Sequence, residues 1–206
     1  VTGRKIDWAH PSLEWYGKFT SNTQLIEALS NSLTVGVCAV AIATVISLGL
    51  AYYMKSGNRR GQAYVEFVIF LPFVLPAIIT GISLLIAFRE VGIDRSLLTV
   101  TAGHVVLILA VIYRMVMIRL DSLESSQIEA SLDLGAGRWK TFRRVVVPLT
   151  RPGLAAGLGL VFIPAFGNFI APTLIGGSKE LQVGTLLVQA FLSARDWPFG
   201  AAVATV

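Results

Sequence analysis

The chain has few charged residues and almost no cysteine. Only 14% of its 206 residues are Asp, Glu, Lys or Arg, whereas a soluble domain carries about 25%. The single cysteine, Cys38, has no disulfide partner, and because it lies in an apolar run we expect it to be a small buried residue. The phosphate-binding pattern GxxxxGK[ST] is absent. We therefore expect another chain to handle any ATP.

The residue groupings that carry chemistry are also missing. No Ser-His-Asp set or pair of carboxylates suggests a catalytic centre. His104 has no second His, Cys or carboxylate at metal-ligand spacing, so it is read as a boundary or packing histidine. The basic residues form no continuous tract with interleaved aromatics, which argues against nucleic acid as a partner. The sequence predicts no catalytic residue, no metal and no cofactor.

Long apolar segments are what the sequence does contain. Apolar residues make up 54% of the chain and its mean hydropathy is +0.71. Four stretches approach or exceed the 20 or so residues that a helix needs to cross a bilayer. They are Ser30–Met54, Val65–Phe88 with Pro72 and Pro76, Leu98–Ile118, and Gly153–Thr173. Gly176–Pro198 reads as a loop, and Phe199 opens a further span. The fold class predicted is all-α, a polytopic transmembrane helix bundle.

The basic residues indicate the orientation. Ten of the 17 Lys and Arg residues, against five acidic ones, fall in the Lys55–Gly61 loop and in Arg114–Arg151 with their borders. The other side carries seven basic and seven acidic residues. Because cytoplasmic loops carry the excess of Lys and Arg, both segments are predicted to be cytoplasmic.

The long cytoplasmic segment contains a recognisable pattern, SQIEASLDLGAGRWKTFRRVVVP, at Ser126–Pro148. Ser126 and Glu129 have the spacing of a capping box, which begins a helix. Gly135 and Gly137 are expected to end that helix, because glycine readily adopts the left-handed conformation of a C-cap. A second helix is predicted next. Its Trp139, Phe142 and Val146 lie at helical spacing, and Lys140, Arg143 and Arg144 are expected to be exposed.

This segment resembles the EAA loop of ABC importer permeases. The family pattern is Glu-Ala-Ala, three residues, Gly, nine residues, Ile, one residue, Leu-Pro. The positions here hold Glu129, Ala130, Ser131, Gly135, Val145, Val147 and Pro148. Ser131 departs from the family's alanine, and two valines replace Ile and Leu. A short amphipathic helix lying at the membrane interface is the simpler alternative for such a segment.

The resemblance implies a fold of six helices. It makes residues 1–206 one transmembrane permease domain, truncated at both ends, with a cytoplasmic EAA loop and coupling helix at 119–152. The residues implied to dock on an ATPase are Ser126, Glu129, Ala130, Ser131, Asp133, Gly135 and Gly137. GNFIAPTLIGG at Gly167–Gly177 is similar to the spermidine/putrescine, opine and ferric-iron branch, which suggests polyamines or a related small solute as substrate.

The partners implied by the family are several. They are an ABC ATPase dimer, a second permease subunit that is identical or a sister, a periplasmic or lipid-anchored substrate-binding protein, and the bacterial inner membrane, which the chain crosses several times. A secondary transporter or channel without an ATPase is the rival function, but it would need intramembrane ionisable residues as an ion relay. A membrane-embedded enzyme would need a catalytic cluster.

Pro164, Asn168 and Phe169 are the candidate residues of the substrate path. Polar residues are costly within a membrane and are often functional, and the resemblance places this helix beside the path. An interhelical hydrogen bond is an equal alternative for Asn168. Three glycines on the same predicted span are expected to allow close helix packing: Gly153, Gly157 and Gly159.

Overall fold

The computed structural model describes residues 14–17, 19, 21–55, 59–123, 125–177 and 180–205, which form helices, turns and connecting segments. The helices are α1 (Glu14–Gly17), α2 (Thr23–Lys55), α3 (Arg59–Val74), α4 (Ala77–Glu90), α5 (Leu97–Asp121), α6 (Ser125–Asp133), α7 (Arg138–Thr141), α8 (Val147–Phe166), α9 (Ile170–Ile175), α10 (Val183–Val188) and α11 (Trp197–Ala204). Two π-helical turns, Phe142–Val146 and Gln189–Ser193, precede α8 and follow α10. The all-α prediction is confirmed.

Two helices of the described chain, α2 and α5, are individually long and apolar enough to cross a membrane. They pack side by side, and the buried side of α2 is a stripe of mostly small residues that α5, α8 and α10 share: Ser32 accepts from the Val183 amide, and Gly36 faces the Phe162 ring on α8. The buried members recur about every four residues and are Ala28, Ser32, Val35, Gly36, Ala39, Ala43, Ser47 and Ala51. Small residues at this spacing let two helix backbones approach closely. Cys38 falls off this stripe and is exposed on the chain, so the prediction that it is buried is wrong.

The second predicted span, Val65–Phe88, is divided between two helices. Helices α3 and α4 are separated at Leu75–Pro76 and their directions differ by 108°. Pro76 precedes the first residue of α4 and has an extended conformation, which a proline ring readily adopts but which cannot continue a helix. Thr80 Oγ1 donates to the Pro72 carbonyl oxygen at 3.3 Å across the break.

The fourth predicted span ends earlier than the sequence suggested. Helix α8 stops at Phe166, and the separate helix α9 begins at Ile170. Within α8, the helical segment Arg138–Pro152 is bent by 65° from Leu154–Phe166, where Pro152 removes a backbone donor. Counting each bent pair as one span, the described residues hold up to four membrane-spanning units.

The predicted loop Gly176–Pro198 contains a helix, Val183–Ser193, made of α10 and its π-helical turn. This helix is held against the start of α2. Asn31 Nδ2 donates to the Leu181 carbonyl oxygen at 3.0 Å, and the Val183 amide donates to Ser32 Oγ at 2.9 Å. Helix α11 begins two residues before Phe199, where Asp196 Oδ1 accepts from the Phe199 amide. The loop prediction is therefore wrong over Val183–Ser193.

The glycines of α8 differ in their surroundings. A β-carbon at Gly157 would collide with the methyl of Met115 on α5, so the close-packing prediction is confirmed there. Gly159 has nothing within 4 Å of such an atom, and the prediction is wrong for it. Gly153 lies outside the residues whose surroundings are described.

Candidate functional site: docking element and membrane cavity

Helix α6 lies outside the spanning helices, between α5 and α7. It begins at Ser125, so Ser126 occupies a position inside the helix rather than the cap predicted from its spacing to Glu129. Glu129, Ala130 and Asp133 are exposed, whereas Ile128 packs on the core that α2, α3, α5 and α8 share. The helix therefore rests on the bundle along one side and presents the other side outward.

A glycine turn ends α6. Gly135 has a φ of +79°, in the left-handed region. The Gly135 amide donates to the Leu132 carbonyl oxygen at 2.9 Å, and the Ala136 amide to the Ser131 carbonyl oxygen at 3.1 Å. These two bonds form a Schellman motif, the C-cap in which glycine is preferred. The prediction for Gly135 is confirmed.

Gly137 has a different backbone role from the one predicted. Its φ is −67° and its ψ is 159°, an extended conformation, and it is the residue that precedes α7. Only Gly135 ends the helix, because the Schellman motif needs one left-handed residue and the chain then starts the next helix at once. The turn connects α6 to α7 through four residues, from Leu134 to Gly137.

The helix after the turn is fastened to α6 and to α2. Ser131 Oγ and Thr141 Oγ1 lie 3.0 Å apart, and Thr141 is fully buried. The Tyr52 hydroxyl donates to the Arg138 carbonyl oxygen at 3.0 Å. The Tyr52 ring also packs on the Phe142 ring, with 4.9 Å between their centroids. Sequence reasoning missed Tyr52, because a tyrosine near the end of an apolar run reads as a membrane-boundary residue.

An ion pair joins α2 and α5 at the same end of the bundle. Lys55 Nζ lies 3.1 Å from Asp121 Oδ1 and also donates to the Leu120 carbonyl oxygen. The segments that the charge pattern assigned to one side of the membrane are thus in contact. The pair is partly exposed, so its contribution to stability is modest, but it joins the ends of two spanning helices near Ser126–Gly137, the segment predicted to be the docking element.

Two large apolar side chains protrude near the glycine turn. Leu134 is 89% exposed and Trp139 is 72% exposed. Trp139 was expected on the apolar side of its helix with Phe142 and Val146. Instead its ring stacks on the outer face of Phe142, with 5.6 Å between centroids. Its neighbours Arg138 and Lys140, both exposed, were the sequence signal that this position faces outward.

A cavity of about 680 Å³ lies between the break in the second span, α5 and α8. Pro164 and Asn168 line it, and Phe169, the third predicted path residue, does not. Among the described residues of its wall, Asn168 alone has a polar side chain. The remaining surface is aliphatic, aromatic or proline, and residues from the break and from α5 contribute to it, including Phe73, Leu107 and Met115.

Asn168 has a structural role that the sequence reading did not include. Its Oδ1 accepts from the Ile170 amide at 2.9 Å and the Ala171 amide at 3.3 Å. The side chain thereby satisfies backbone donors at the start of α9, a common use of Asn in turns. Asn168 bonds to backbone on its own chain just beyond α8, so the described structure gives it no bond to a neighbouring spanning helix. The Gly before it was the sequence signal of a turn.

His104 is buried inside α5. Its Nδ1 lies 2.8 Å from the Val100 carbonyl oxygen, one turn earlier. No group of three or more potential metal ligands occurs among the residues that the structure describes. His104 packs within the bundle as the sequence suggested.

Known proteins resemble this chain in sequence. A family profile described as "Binding-protein-dependent transport system inner membrane component" matches residues 43–205. The spermidine/putrescine transport system permease protein PotB of Escherichia coli is 32% identical over 193 residues, covering 85% of this chain and 70% of PotB. PotB of Haemophilus influenzae is 29% identical, covering 88% and 70%. The putrescine transport system permease protein PotI of Escherichia coli is 30% identical, covering 91% and 68%.

Solved structures share the fold. A bacterial ABC transporter involved in the import of the acidic polysaccharide alginate aligns with a TM-score of 0.76 at 15% identity, covering 96% of this chain and 78% of that one. The MetNI methionine ABC transporter aligns with a TM-score of 0.69 at 20% identity, covering 95% and 90%.

The bundle and its sequence relatives define a membrane transport component. The chain belongs to the family of binding-protein-dependent transport system inner membrane components. It is a permease subunit of an ABC importer. This assignment is supported over a secondary transporter or channel that works without an ATPase.

Proposed function

We propose that this permease forms part of a translocation path for polyamines or a chemically related small solute. The relatives PotB and PotI, named for spermidine and putrescine transport, support this substrate class. The chain would cross the membrane several times as one permease domain. It would work with a second permease, identical or a sister, and a periplasmic or lipid-anchored binding protein would deliver the substrate. A dimer of ATPase subunits would hydrolyse ATP, and this chain would carry no enzymatic activity.

The proposed mechanism is a linkage between ATP binding and the shape of the bundle. ATP must bind better to one state of the transporter than to the other, or it shifts nothing. The element that senses the ATPase must therefore move as one piece with the spanning helices. The contacts of Tyr52 with α7 and with Phe142 support this, because they join α7 to α2, and the Ser131–Thr141 contact joins α7 to the docking element.

The docking element within the cytoplasmic loop 119–152 is the main part of the proposal. The observation that carries it is the exposed helix α6, closed by the Schellman turn at Gly135 and held to α7 through Ser131. Glu129 and Asp133 offer charge to a partner surface, and Leu134 offers apolar area. A rigid helix that exposes charged and apolar groups suits insertion into a groove of an ATPase.

Co-purification of the ATPase tests this role. Glu129→Lys reverses an exposed charge on α6, and Gly135→Asp places a β-carbon in a left-handed position. We expect both variants to lose ATPase association and uptake while the permease reaches the membrane at normal abundance. Glu27→Lys, an equal charge reversal at an exposed site on α2, is the matched control and should retain both. Full ATPase binding by both damaging variants would refute the docking assignment.

The orientation is a separate proposal, supported by the ten basic residues on one side. In a Cys38→Ser background, Lys140→Cys should react with an impermeant thiol reagent only from the cytoplasm, and Arg89→Cys only from outside. Both positions are exposed, and the charge pattern assigns them to opposite sides of the membrane. Labelling of the Lys140→Cys variant from outside in intact cells would reverse the topology.

A further inference from the structure

The helical segment Arg138–Pro152 has one buried side. It is bent by 65° from Leu154–Phe166, the spanning part of α8. Thr141 and Val146 are completely buried and Thr150 is 1% exposed. Tyr52 holds the same side through its bond to the Arg138 carbonyl oxygen. These contacts fix which side of the segment faces away from the bundle.

The outward side of this segment is strongly basic. Five cationic side chains on it are exposed, and we call them the basic face: Arg138, Lys140, Arg143, Arg144 and Arg151. Within the described part of the chain, none of the five pairs with a carboxylate, although Lys55 pairs with Asp121 nearby. Trp139 and Leu149 lie among them, 72% and 46% exposed. The exposed charge is therefore accessible to a partner outside the chain.

We propose that the basic face binds the phosphate groups of anionic phospholipids on the side of the membrane where the docking element lies. Amphipathic helices rich in Lys and Arg, with Trp and Leu beside them, lie at membrane surfaces. Clusters of four to eight such cations next to a spanning helix attract anionic lipids. The bend turns the segment away from the direction of the spanning helix, as a helix along the membrane surface must be.

The position of Arg151 favours lipid over the ATPase as the occupant. It precedes the bend into the spanning part of α8 by one residue, Pro152, and so lies where the chain enters the bilayer. The proposed ATPase contacts end at Gly137, before the basic face begins. Lipid binding is therefore a function beyond the proposed docking, and each can fail without the other.

The test compares lipid affinity in two matched double variants. Arg143→Gln with Arg144→Gln removes two charges from the basic face. Arg89→Gln with Arg95→Gln removes two charges from exposed positions elsewhere in the chain. The permease, purified with its partners, is titrated in micelles with phosphatidylglycerol and, separately, with neutral phosphatidylcholine, and bound lipid is counted by mass spectrometry. ATPase co-purification and thermal unfolding are measured on the same samples.

We expect the basic-face variant to bind phosphatidylglycerol on the order of tenfold more weakly than the unmodified complex, since each cation near an anionic surface contributes to binding. The control variant should bind it normally, and added salt should weaken the binding of the unmodified complex. Unchanged affinity in the basic-face variant would overturn the proposal, and so would equal affinity for both lipids. Loss of the ATPase with lipid binding intact would identify the ATPase as the occupant.

Discussion

The docking element and the membrane cavity are held together in different ways. The docking element is connected to the bundle through α7 by directional contacts, namely the Ser131–Thr141 and Tyr52–Arg138 hydrogen bonds and the contact between the Tyr52 and Phe142 rings, which are tilted by 42°. The cavity is bounded by apolar side chains at a broken helix, with Asn168 as its one amide among the described lining residues. Directional contacts transmit a displacement, whereas an apolar wall separates helices without binding a polar solute tightly.

This difference bears on how a cationic substrate would pass. A polyamine is held by carboxylate or aromatic partners, and the described wall of the cavity contains no carboxylate and one aromatic ring, that of Phe73. Such a wall favours release over retention, so we infer that substrate selection rests mainly with the binding protein and that this permease contributes movement. The docking element must therefore be stiff to transmit movement, whereas the cavity must be open to let a solute pass.

The largest effect is expected at Tyr52, because its contacts with Arg138 and Phe142 connect the docking element, through α7, to α2. Tyr52→Leu loses a hydrogen bond worth about 1 kcal/mol and an aromatic contact worth about 1 kcal/mol. Tyr52→Phe loses only the hydrogen bond. We expect the ATPase to remain bound in both variants, while stimulation of its activity by the loaded binding protein falls strongly in Tyr52→Leu and partly in Tyr52→Phe. Normal stimulation in Tyr52→Leu would show that α2 does not carry the signal.

Two substitutions of Asn168 should separate its role in the cavity wall from its role in the turn before α9. Asn168→Leu removes the acceptor for two backbone amides, at a cost of about 1 kcal/mol, and places an apolar group in the cavity wall. Asn168→Asp keeps an acceptor for both amides and adds a charge. We expect uptake to fall in both variants and thermal stability to fall only in Asn168→Leu. If the stable Asn168→Asp variant transports normally, the residue caps α9 and has no part in the path.

The sequence predicted the docking element better than the cavity, for physical reasons. Gly135 and the polar residues around it specify a turn through local geometry, which can be read from neighbouring positions. The break between α3 and α4 depends on how the helices on both sides of Pro76 pack, and two prolines in an apolar run indicate a kink as readily as a 108° bend. Likewise, the apolar residues of Val183–Ser193 form a helix because they pack on α2, a contact between distant residues.

A smaller effect on ATPase co-purification is expected from substitutions of the two glycines of the turn, Gly135 and Gly137. Gly135→Ala puts a β-carbon on a residue with a φ of +79°, which costs roughly 1 kcal/mol. Gly137→Ala affects an extended residue with nothing within 4 Å of the added atom. We expect ATPase co-purification to fall clearly in Gly135→Ala and less in Gly137→Ala. Equal losses would mean that backbone conformation at Gly135 is not what the docking element requires.

The smallest expected effect is at Ser131, where the family pattern has alanine. Ser131→Ala restores that residue but removes the 3.0 Å contact with Thr141, whose side chain is completely buried. A lost hydrogen bond of this kind costs about 1 kcal/mol at most when the remaining hydroxyl can bond elsewhere, and Thr141 can turn toward the Gly137 carbonyl oxygen one helical turn earlier. We therefore expect ATPase association within twofold of normal and a slight loss of thermal stability.

Thr141→Val removes the hydroxyl from the other partner, and the double variant tests whether the two residues act through one hydrogen bond. If the single effects are small and the double variant is no worse than either, the two hydroxyls act through one bond that contributes little to docking. A large loss in Ser131→Ala alone would mean that this chain depends on a hydrogen bond at a position where the family pattern has none.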